Sequence, residues 1–372
     1  MDFLGNRHNE HFTFKRVGWE DWVEHGSYDY ITDGSIELST ESDLVVTGSL
    51  SFEGYEVPDT SDLIRIFYSF TDEAGDTDSF PLATLFTSYS DLTYTDTVGG
   101  LKASGTLEGK SVLSVLEQEK TPYPYVVSGN SNAIYEAQKI ITSLGLPVNY
   151  LPGSYVLGSD HAFEPGTSYL EICKWLCEQA GYVMYPDELG VVQLVEYEKI
   201  KRAEIRTTFK NDDLSIMYPE LEATNSWQET PNVYQLYYNV DTCAMVAVAK
   251  NVSGSRASLD KRGNRSQCEF EDISELPSTG DRLENLMNEA ETRLRKISAD
   301  VEYVKMKHAW RPIYIYDQIR IEYSDLSWTG ETGNINIELK AGTATQTKIK
   351  RELYDEIMIS KEGRYLRGDT ND

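Results

Sequence analysis

The sequence predicts a mainly β protein with α+β inserts, in which two β-barrel frameworks each carry a helix-containing insertion. Three observations support this fold class. Short runs of β-branched and aromatic residues lie between glycine and proline residues, which is typical of strands joined by turns. Stretches with helical periodicity interrupt these runs. The chain has 372 residues, more than one ordinary core organises, so several domains are expected.

The first framework is expected over residues 1–107. Its hydrophobic runs have the length and the flanking turn residues of strands, and a polar segment, Thr71–Ser79, separates two of them. These features predict a small antiparallel sheet or barrel with long hairpins. The predicted strands are Ser35–Leu38, Leu44–Phe52, Leu63–Phe70 and Leu82–Thr87.

The pattern changes to an α+β insert over residues 108–198. Apolar residues at helical spacing predict helices at Ser111–Glu119 and Ser131–Leu144. A third helix begins at Ser168, which forms a capping box with Glu171. A hairpin is predicted after this helix, with two strands on either side of a turn: Tyr182–Tyr185, Pro186–Gly190 and Val191–Val195.

The second framework is expected in two parts, residues 199–240 and 301–360, on either side of a helix-bearing insertion at 241–300. In that insertion Asp281–Ala299 is predicted to be a helix, because its apolar residues form one stripe and its charges complement the helix dipole. The polar tail, residues 361–372, is expected to fray. The predicted strands are Val233–Val240, Met245–Ala249, Val301–His308, Ile313–Ile315, Gln318–Tyr323, Asn334–Leu339 and Thr345–Ile349.

The charge of the chain restricts its partners. The net charge is −27, from 34 basic and 61 acidic side chains, so specific nucleic-acid binding is not expected. Lys250–Arg265 is the one basic stretch, and its glycine, serine and asparagine residues favour a mobile loop over a binding patch. No signal peptide is recognised, and no apolar run approaches the ~18 residues of a membrane span. We expect a protein made in a cytoplasm, without membrane insertion.

The sequence shows no catalytic constellation, cofactor motif or metal-binding pattern, so no enzyme is expected. His8 and His11 lie near the N-terminus and His161 lies in a polar loop, without a serine elbow or a zinc-binding motif. Four cysteines occur without a CxxC pair. Cys173 and Cys177 lie four residues apart on one helix face and are expected to be buried free thiols.

Two weaker signals point to ligands. Asp72, Asp76 and Asp78 resemble a calcium loop, but the usual glycine and the final glutamate are missing, so a metal is not expected there. Four tryptophans could stack on sugars, although core or interface packing is their commoner role. They are Trp19, Trp22, Trp227 and Trp328.

Two groups of residues resemble the motifs of a known family. The helix-and-hairpin unit supplies Ala180-Gly181-Tyr182, Tyr185, Asp187, Gly190 and Leu194. A late strand pair supplies Pro312-Ile313, Asp317-Gln318 and Ile319–Tyr323. With the order of elements, these residues resemble the hub proteins of phage tail tips and baseplates, including the late control protein D type. This chain has Tyr316 where many such hubs have a glycine.

The resemblance implies a structural virion protein, a trimeric pseudo-sixfold hub that joins the tail tube to the tip or spike and lets DNA pass. Each subunit would contribute two similar tube-like barrels. The implied partners are further copies of the chain, a tail-tube or distal-tail protein, a tip or spike protein and the tape-measure protein, in a virion tail assembled in the host cytoplasm. The 25 tyrosines suit subunit contacts. A trimer would carry three times −27, or −81, and an acidic bore would repel DNA over ~8 Å.

Two alternatives from other classes stay open. A carbohydrate- or receptor-binding tail protein would use exposed tryptophans, and binding to a glycan array would favour it. A cell-wall hydrolase would need a pair of carboxylates, which sequence spacing does not reveal among 61 acidic residues. Turnover of cell-wall material would favour that alternative.

Overall fold

The computed structural model describes residues 8–71, 75–211, 217–225, 227, 229–240, 243–273, 281–298, 300–353 and 357–367. Strands dominate these residues and the helices are short, so the predicted mainly β class with α+β inserts is confirmed. The chain divides into two compact units, which are Met1–Leu221 with Lys305–Ile349 (unit 1) and Glu222–Val304 with Lys350–Asp372 (unit 2).

The N-terminal strands of unit 1 form an antiparallel sheet. Leu63–Thr71 has a strand paired on each side and is almost wholly buried, whereas Glu24–Ser27 at the edge of the sheet is exposed at every residue. The strands are β1 (His8–Val17), β2 (Glu24–Ser27), β3 (Ile31–Ser39), β4 (Val46–Gly54), β5 (Leu63–Thr71), β6 (Thr77–Thr97) and β7 (Gly100–Ser111).

The insert consists of short helices packed with small strand pairs. Its second and third helices contact each other through buried apolar side chains, including Ile141 and Cys173. The elements are α1 (Leu113–Gln118), β8 (Tyr125–Val127), α2 (Ala133–Ser143), β9 (Val148–Tyr150), β10 (His161–Phe163), α3 (Tyr169–Ala180), β11 (Tyr182–Pro186), β12 (Val192–Glu196) and α4 (Tyr197–Lys201).

The predicted start of α3 is confirmed in detail. The Ser168 hydroxyl accepts the Glu171 N–H at 3.2 Å, and the Glu171 carboxylate accepts the Ser168 N–H at 3.1 Å. Gly181 ends the helix in the left-handed conformation, with φ of 71°. The predicted helix and hairpin are therefore both present.

The remaining strands complete the large sheet and build a second one. The elements are β13 (Ile205–Lys210), β14 (Met217–Asn225), β15 (Val233–Val240), β16 (Cys243–Ser253), β17 (Cys268–Ile273), α5 (Arg282–Ile297), β18 (Asp300–His308), β19 (Gln318–Tyr323), β20 (Leu326–Glu338), β21 (Thr345–Leu353) and β22 (Met358–Arg367). The large sheet has 13 strands, in the order β14-β18-β21-β20-β3-β4-β7-β6-β5-β1-β2, with β13 and β19 attached through β20. Strands from the two predicted frameworks meet where β20 pairs antiparallel with β3.

Unit 2 has a sheet of its own, in the order β17-β15-β16-β22. The helix α5 covers one face of this sheet, and their contact forms a closed apolar core. The core residues are Tyr234, Leu236, Tyr238, Met245, Ala247, Ala249, Leu286, Ala290 and Leu294.

Four local expectations are wrong. Ile313–Ile315 is a buried loop and not a strand. Lys361 and the residues that follow it belong to β22, so this segment is not a frayed tail over the described residues. Val233–Val240 pairs within unit 2 and not with the second framework. His8 and His11 lie in β1, opposite Thr71 and Ser69, and not in a loose N-terminal tail.

Over the residues that the model describes, no helix is long and apolar enough to cross a membrane.

Candidate interaction surfaces

Two of the five histidines, His161 and His308, make contacts within the fold. The His161 ring stacks on Trp175, with ring centroids 4.1 Å apart. Buried His308 faces the Ala309 carbonyl through Nδ1 and the Thr347 hydroxyl through Nε2, at 2.7 and 2.8 Å. Within the described ranges, no three His, Cys, Asp or Glu side chains lie close enough together to hold a metal ion.

The two helical cysteines are buried free thiols, as the sequence predicts. Burial disfavours the charged thiolate, so it raises the pKa of Cys177 to about 12 and the pKa of Cys173 well above its usual value. Burial thus disfavours the thiolate, which is the form that acts as a nucleophile or a metal ligand.

The four candidate tryptophans do not form an exposed platform for sugars. Trp19 packs against Trp22 and Phe86, with ring centroids 5.7 and 4.9 Å apart. Trp328 is 8% exposed, and half-buried Trp227 lies 5.8 Å from the Arg262 guanidinium carbon. The candidate calcium residue Asp78 lies in β6, whereas Asp72 is outside the described residues.

The basic stretch Lys250–Arg265 is not the mobile loop that was expected throughout, because Lys250–Ser253 belongs to β16 and buried side chains anchor the loop that follows. The buried Asn232 amide donates to the carbonyls of Ala257 and Arg265, at 2.9 and 3.0 Å. The buried Asn251 amide donates to the Ser255 hydroxyl at 2.8 Å. Buried amides that satisfy backbone carbonyls hold such a loop in one conformation.

The turn Pro186–Gly190 has an internal structure that explains its composition. Asp187 Oδ1 accepts the N–H groups of Leu189 and Val191 at 3.0 and 2.8 Å, and its Oδ2 accepts the Gln193 amide at 2.9 Å. Gly190 has φ of 83°, a left-handed conformation that favours glycine. The carboxylate and the glycine are therefore needed to shape the turn.

This turn joins the insert to the first framework of unit 1. The buried Arg65 side chain donates to the Leu189 carbonyl at 3.0 Å, and the Thr84 hydroxyl donates to the Glu188 carbonyl at 2.9 Å. The Arg65 side chain also donates to Thr84 Oγ1, at 3.1 Å. Sequence reasoning missed Arg65 and Thr84, because their partners lie more than 100 residues away. The sequence does contain one signal for this contact, which is an arginine inside an otherwise apolar strand, because arginine is rarely buried without a partner.

A cavity of about 280 Å³ lies beside the turn, with acidic and tyrosine side chains in its wall. Burial raises the pKa of Glu188 to about 7, and the neighbouring carboxylates of Asp187 and Asp317 raise it further, whereas Arg206 opposes the shift. Burial also raises the pKa of Asp317. The cavity is thus a place where negative charge is costly at neutral pH.

Tyr316 lies in the late motif, at the position where the resemblance to hub proteins leads us to expect a glycine. Its φ is 67°, so the tyrosine adopts the left-handed conformation for which glycine is the usual residue. Its ring contacts the Tyr185 ring, with centroids 4.9 Å apart, and its N–H donates to the Thr332 carbonyl at 2.8 Å. Tyr316 therefore adopts a strained backbone conformation in this turn.

The hairpin of β6 and β7 presents apolar side chains at its end. Tyr94, Val98 and Leu101 are all exposed there, and Tyr55 lies exposed beside them. Contiguous exposed apolar side chains mark contact surfaces more often than isolated ones do. The distal half of β6, residues 88–97, pairs with β7 alone among the described strands.

These features define a class of protein by its fold: strand frameworks joined to small helical inserts, with exposed strand edges. Solved structures with a similar fold include two tail proteins and one chain of a VgrG complex. The 43 kDa tail protein of prophage MuSo2 from Shewanella oneidensis matches with a TM-score of 0.62 at 11% identity, over 92% of this chain and 98% of that chain. A tail protein from Neisseria meningitidis matches with a TM-score of 0.62 at 11% identity, over 93% and 97%.

A third match comes from a larger assembly. One chain of the Francisella PdpA–VgrG complex aligns with a TM-score of 0.55 at 10% identity, over 95% of this chain and 60% of that chain. No family model and no curated protein sequence matches this chain. The likeness is therefore one of fold, and it extends over nearly the whole length of these two tail proteins.

Proposed function

We propose that this protein is a structural component of a phage tail, a hub that forms a trimeric pseudo-sixfold ring between the tail tube and the tip or spike. The carrying observation is the likeness of fold to two tail proteins over more than nine-tenths of each chain. The proposal includes two ring-forming frameworks, the first in residues 1–107 and the second in residues 199–240 and 301–360, without β15 and β22, which belong to the sheet of unit 2. The inserts are residues 108–198 and 241–300. The proposal also includes the absence of enzymatic activity.

The surface of the chain supports a role in assembly. The hairpin end of β6 and β7 and the outer half of β6 offer apolar side chains and backbone hydrogen-bonding groups to a neighbour. A strand edge of this kind pairs readily with another chain. A protein that acts alone would have to protect both features.

The neighbours in this proposal are further copies of the chain, a tail-tube or distal-tail protein, a tip or spike protein and the tape-measure protein. DNA would pass through the ring during ejection. The net charge of −27 per chain gives the ring a repulsive field toward phosphate, so DNA would pass without specific binding. Assembly would take place in the host cytoplasm.

Reconstitution with the tail-tube protein of the same phage tests this function. Negative-stain microscopy is expected to show threefold rings at the end of short tubes, and a Val98→Asp, Leu101→Asp variant is expected to lose this end-on contact. A matched control, Tyr123→Asp, changes an exposed aromatic residue outside the hairpin.

Two results would contradict the proposed function. The first is a chain that stays single alongside the tube protein at high concentration. The second is turnover of cell-wall material or tight binding on a glycan array without ring formation, since either would assign the protein to another class. DNA retention by the ring at low salt would contradict the proposed repulsive bore.

A further inference from the structure

The sheet of unit 2 has an exposed strand at each of its two edges. In its sheet β17 lies at one side and β22 at the other, and neither pairs with a further strand among the residues that the model describes. The outward-facing Phe270 is 64% exposed in β17, and Met358 is 63% exposed in β22. An unprotected edge presents a row of backbone N–H and C=O groups that another strand can use.

The two edges carry opposite charge. The β17 sequence CEFEDI has three acidic residues and no basic one, whereas the β22 sequence MISKEGRYLR has three basic residues and one acidic one. Some of these charges are matched within the unit. Glu271 pairs with Arg293, Glu362 pairs with Lys250 at 2.6 Å, and Lys361 pairs with Glu291 at 2.8 Å.

Three charges on the edges have no such match. Glu269 and Asp272 on β17, and Arg364 on β22, form no ion pair with the described residues. All three side chains are exposed. The residual charge is therefore negative on the β17 edge and positive on the β22 edge.

The two edge strands run in the same direction. β17 is parallel to β15, β15 is antiparallel to β16, and β16 is antiparallel to β22. Rotation about a ring axis preserves the chain direction of each strand relative to that axis. The β22 strand of one copy and the β17 strand of the next copy would thus lie parallel, and such a head-to-tail contact closes into a ring.

We propose that β22 of one copy pairs in parallel with β17 of the next copy, so that the unit 2 sheets join into a closed ring of strands of their own, in addition to the ring that the two frameworks form. This inference rests on the proposed function for the number of copies. With three copies of a four-stranded sheet, three times four gives a ring of 12 strands.

One register places neighbouring side chains on the same face of the sheet and opposite charges side by side. Placing Lys361 beside Glu269 of the next copy puts Arg364 beside Asp272. Within one copy, Lys361 and Glu269 lie opposite Ala249 and Tyr234, which face α5. Arg364 and Asp272 then fall together on the other face of the sheet, because alternate residues of a strand point to opposite faces.

The same register brings Tyr365 beside Ile273, both on the face that carries α5. Tyr365 is 40% exposed and Ile273 packs at the edge of the apolar core, so their contact would extend that core across the interface. A slip by one residue would place each of these side chains on the wrong face, which specifies the register.

A charge-swap experiment on the full chain tests the pairing. Arg364→Glu alone and Asp272→Arg alone each place like charges side by side, and each is expected to weaken ring assembly about fivefold per interface in light scattering. The double variant restores the opposite charges in reversed order, so its assembly is expected to return toward that of the wild type. Arg202→Glu, an exposed charge reversal in unit 1, is the matched control.

A cross-link tests the register. Neighbouring strands lie about 4.8 Å apart, within the Cα separation that a disulfide spans. Mild oxidation of a Tyr365→Cys, Ile273→Cys variant is expected to give covalent oligomers that end at the copy number of the ring. The single Tyr365→Cys variant reports any contribution from the four native cysteines.

The outcomes separate this inference from the proposed function. A wild-type ring that is unaffected by either charge reversal and yields no cross-link would overturn the strand pairing and leave the proposed hub intact. A wild-type chain that never forms a ring would overturn both. Loss in the single variants, recovery in the double variant and a closed covalent ring would together support the pairing.

Discussion

The two units complete their sheets in different ways. In unit 1, β5 lies between β1 and β6, and an aromatic cluster of Tyr68, Phe80 and Trp310 fills the space beside it, with Trp310 centroid distances of 4.3 and 5.4 Å. In unit 2, one helix covers one face of a four-stranded sheet, and both edges are exposed. The comparison indicates that β5 of unit 1 is paired on both sides, whereas the two edge strands of unit 2 have hydrogen-bonding capacity left for a neighbour.

The largest expected effect is a loss of stability that is confined to one unit at a time. Leu294 in α5 and Leu50 in β4 are both fully buried. Leu294→Ala and Leu50→Ala should each cost about 2–5 kcal/mol, because each leaves a cavity. Hydrogen exchange is expected to accelerate in β15 and β16 for the first variant, and in β3 and β4 for the second.

Leucine-to-methionine variants at the same two positions are the controls, since they keep the volume and cost less than about 1.5 kcal/mol. Equal acceleration in every strand after either alanine substitution would show one cooperative structure and remove the distinction between the units.

The second prediction concerns the half-buried Glu188 in unit 1. Its pKa of about 7 lies above the usual 4.5, so the folded protein binds the proton more tightly than the unfolded chain does. Stability from this group is complete below pH ~4.5 and is lost as the pH rises to ~7. Glu188→Gln should therefore stabilise unit 1 at pH 8, by about 2 kcal/mol, and give little gain at pH 4.5.

Denaturant unfolding at the two pH values measures this difference, with Glu117→Gln, on the exposed surface of α1, as the control. A Glu188→Gln variant with the same loss of stability at pH 8 as the wild type would contradict the role of the half-buried carboxylate.

The sequence predicted local structure better than long-range structure. The capping box of Ser168 was visible because both partners lie within one turn of α3. The bond between Arg65 and the Leu189 carbonyl was not visible, because 124 residues separate its partners. No pattern in the intervening sequence reports such a distance.

The two wrong strand assignments have physical reasons. Ile313 and Ile315 are buried like the residues of a strand, but Asp317 accepts the Tyr314 N–H at 2.9 Å and bends the chain into a loop. β22 was missed for the opposite reason: as an edge strand it carries charges on its exposed side, so its hydrophobic period is weak. The absence of a catalytic pattern was visible in the sequence, whereas the edges that carry the proposed contact were not.

The third prediction measures the strain at Tyr316. Tyr316→Ala removes the contact with Tyr185 and keeps a side chain at positive φ, whereas Tyr316→Gly removes the contact and the strain together. The glycine variant should be more stable than the alanine variant by about 1–2 kcal/mol. Thermal unfolding of the pair gives this difference, and equal stabilities would show that the backbone at this position is unstrained.

The smallest expected effect compares one helix start from each unit. Ser168→Ala removes one side of the capping box, and Asp281→Ala removes the acceptor for the N–H groups of Leu283 and Glu284, at 2.8 and 3.4 Å. Each should cost about 1 kcal/mol, in unit 1 and unit 2 respectively. Asparagine at either position keeps a capping side chain and serves as the control. A loss with asparagine as large as the loss with alanine would contradict a capping role.

The central claim is that the chain works by closing into a ring with its own copies. The mass of the purified protein in solution, measured by light scattering over a range of concentrations, tests it most directly. The account predicts a particle of three times 42.2 kDa that shows threefold symmetry in the microscope. A mass of 42.2 kDa at every concentration, with the tail-tube protein present or absent, would contradict it.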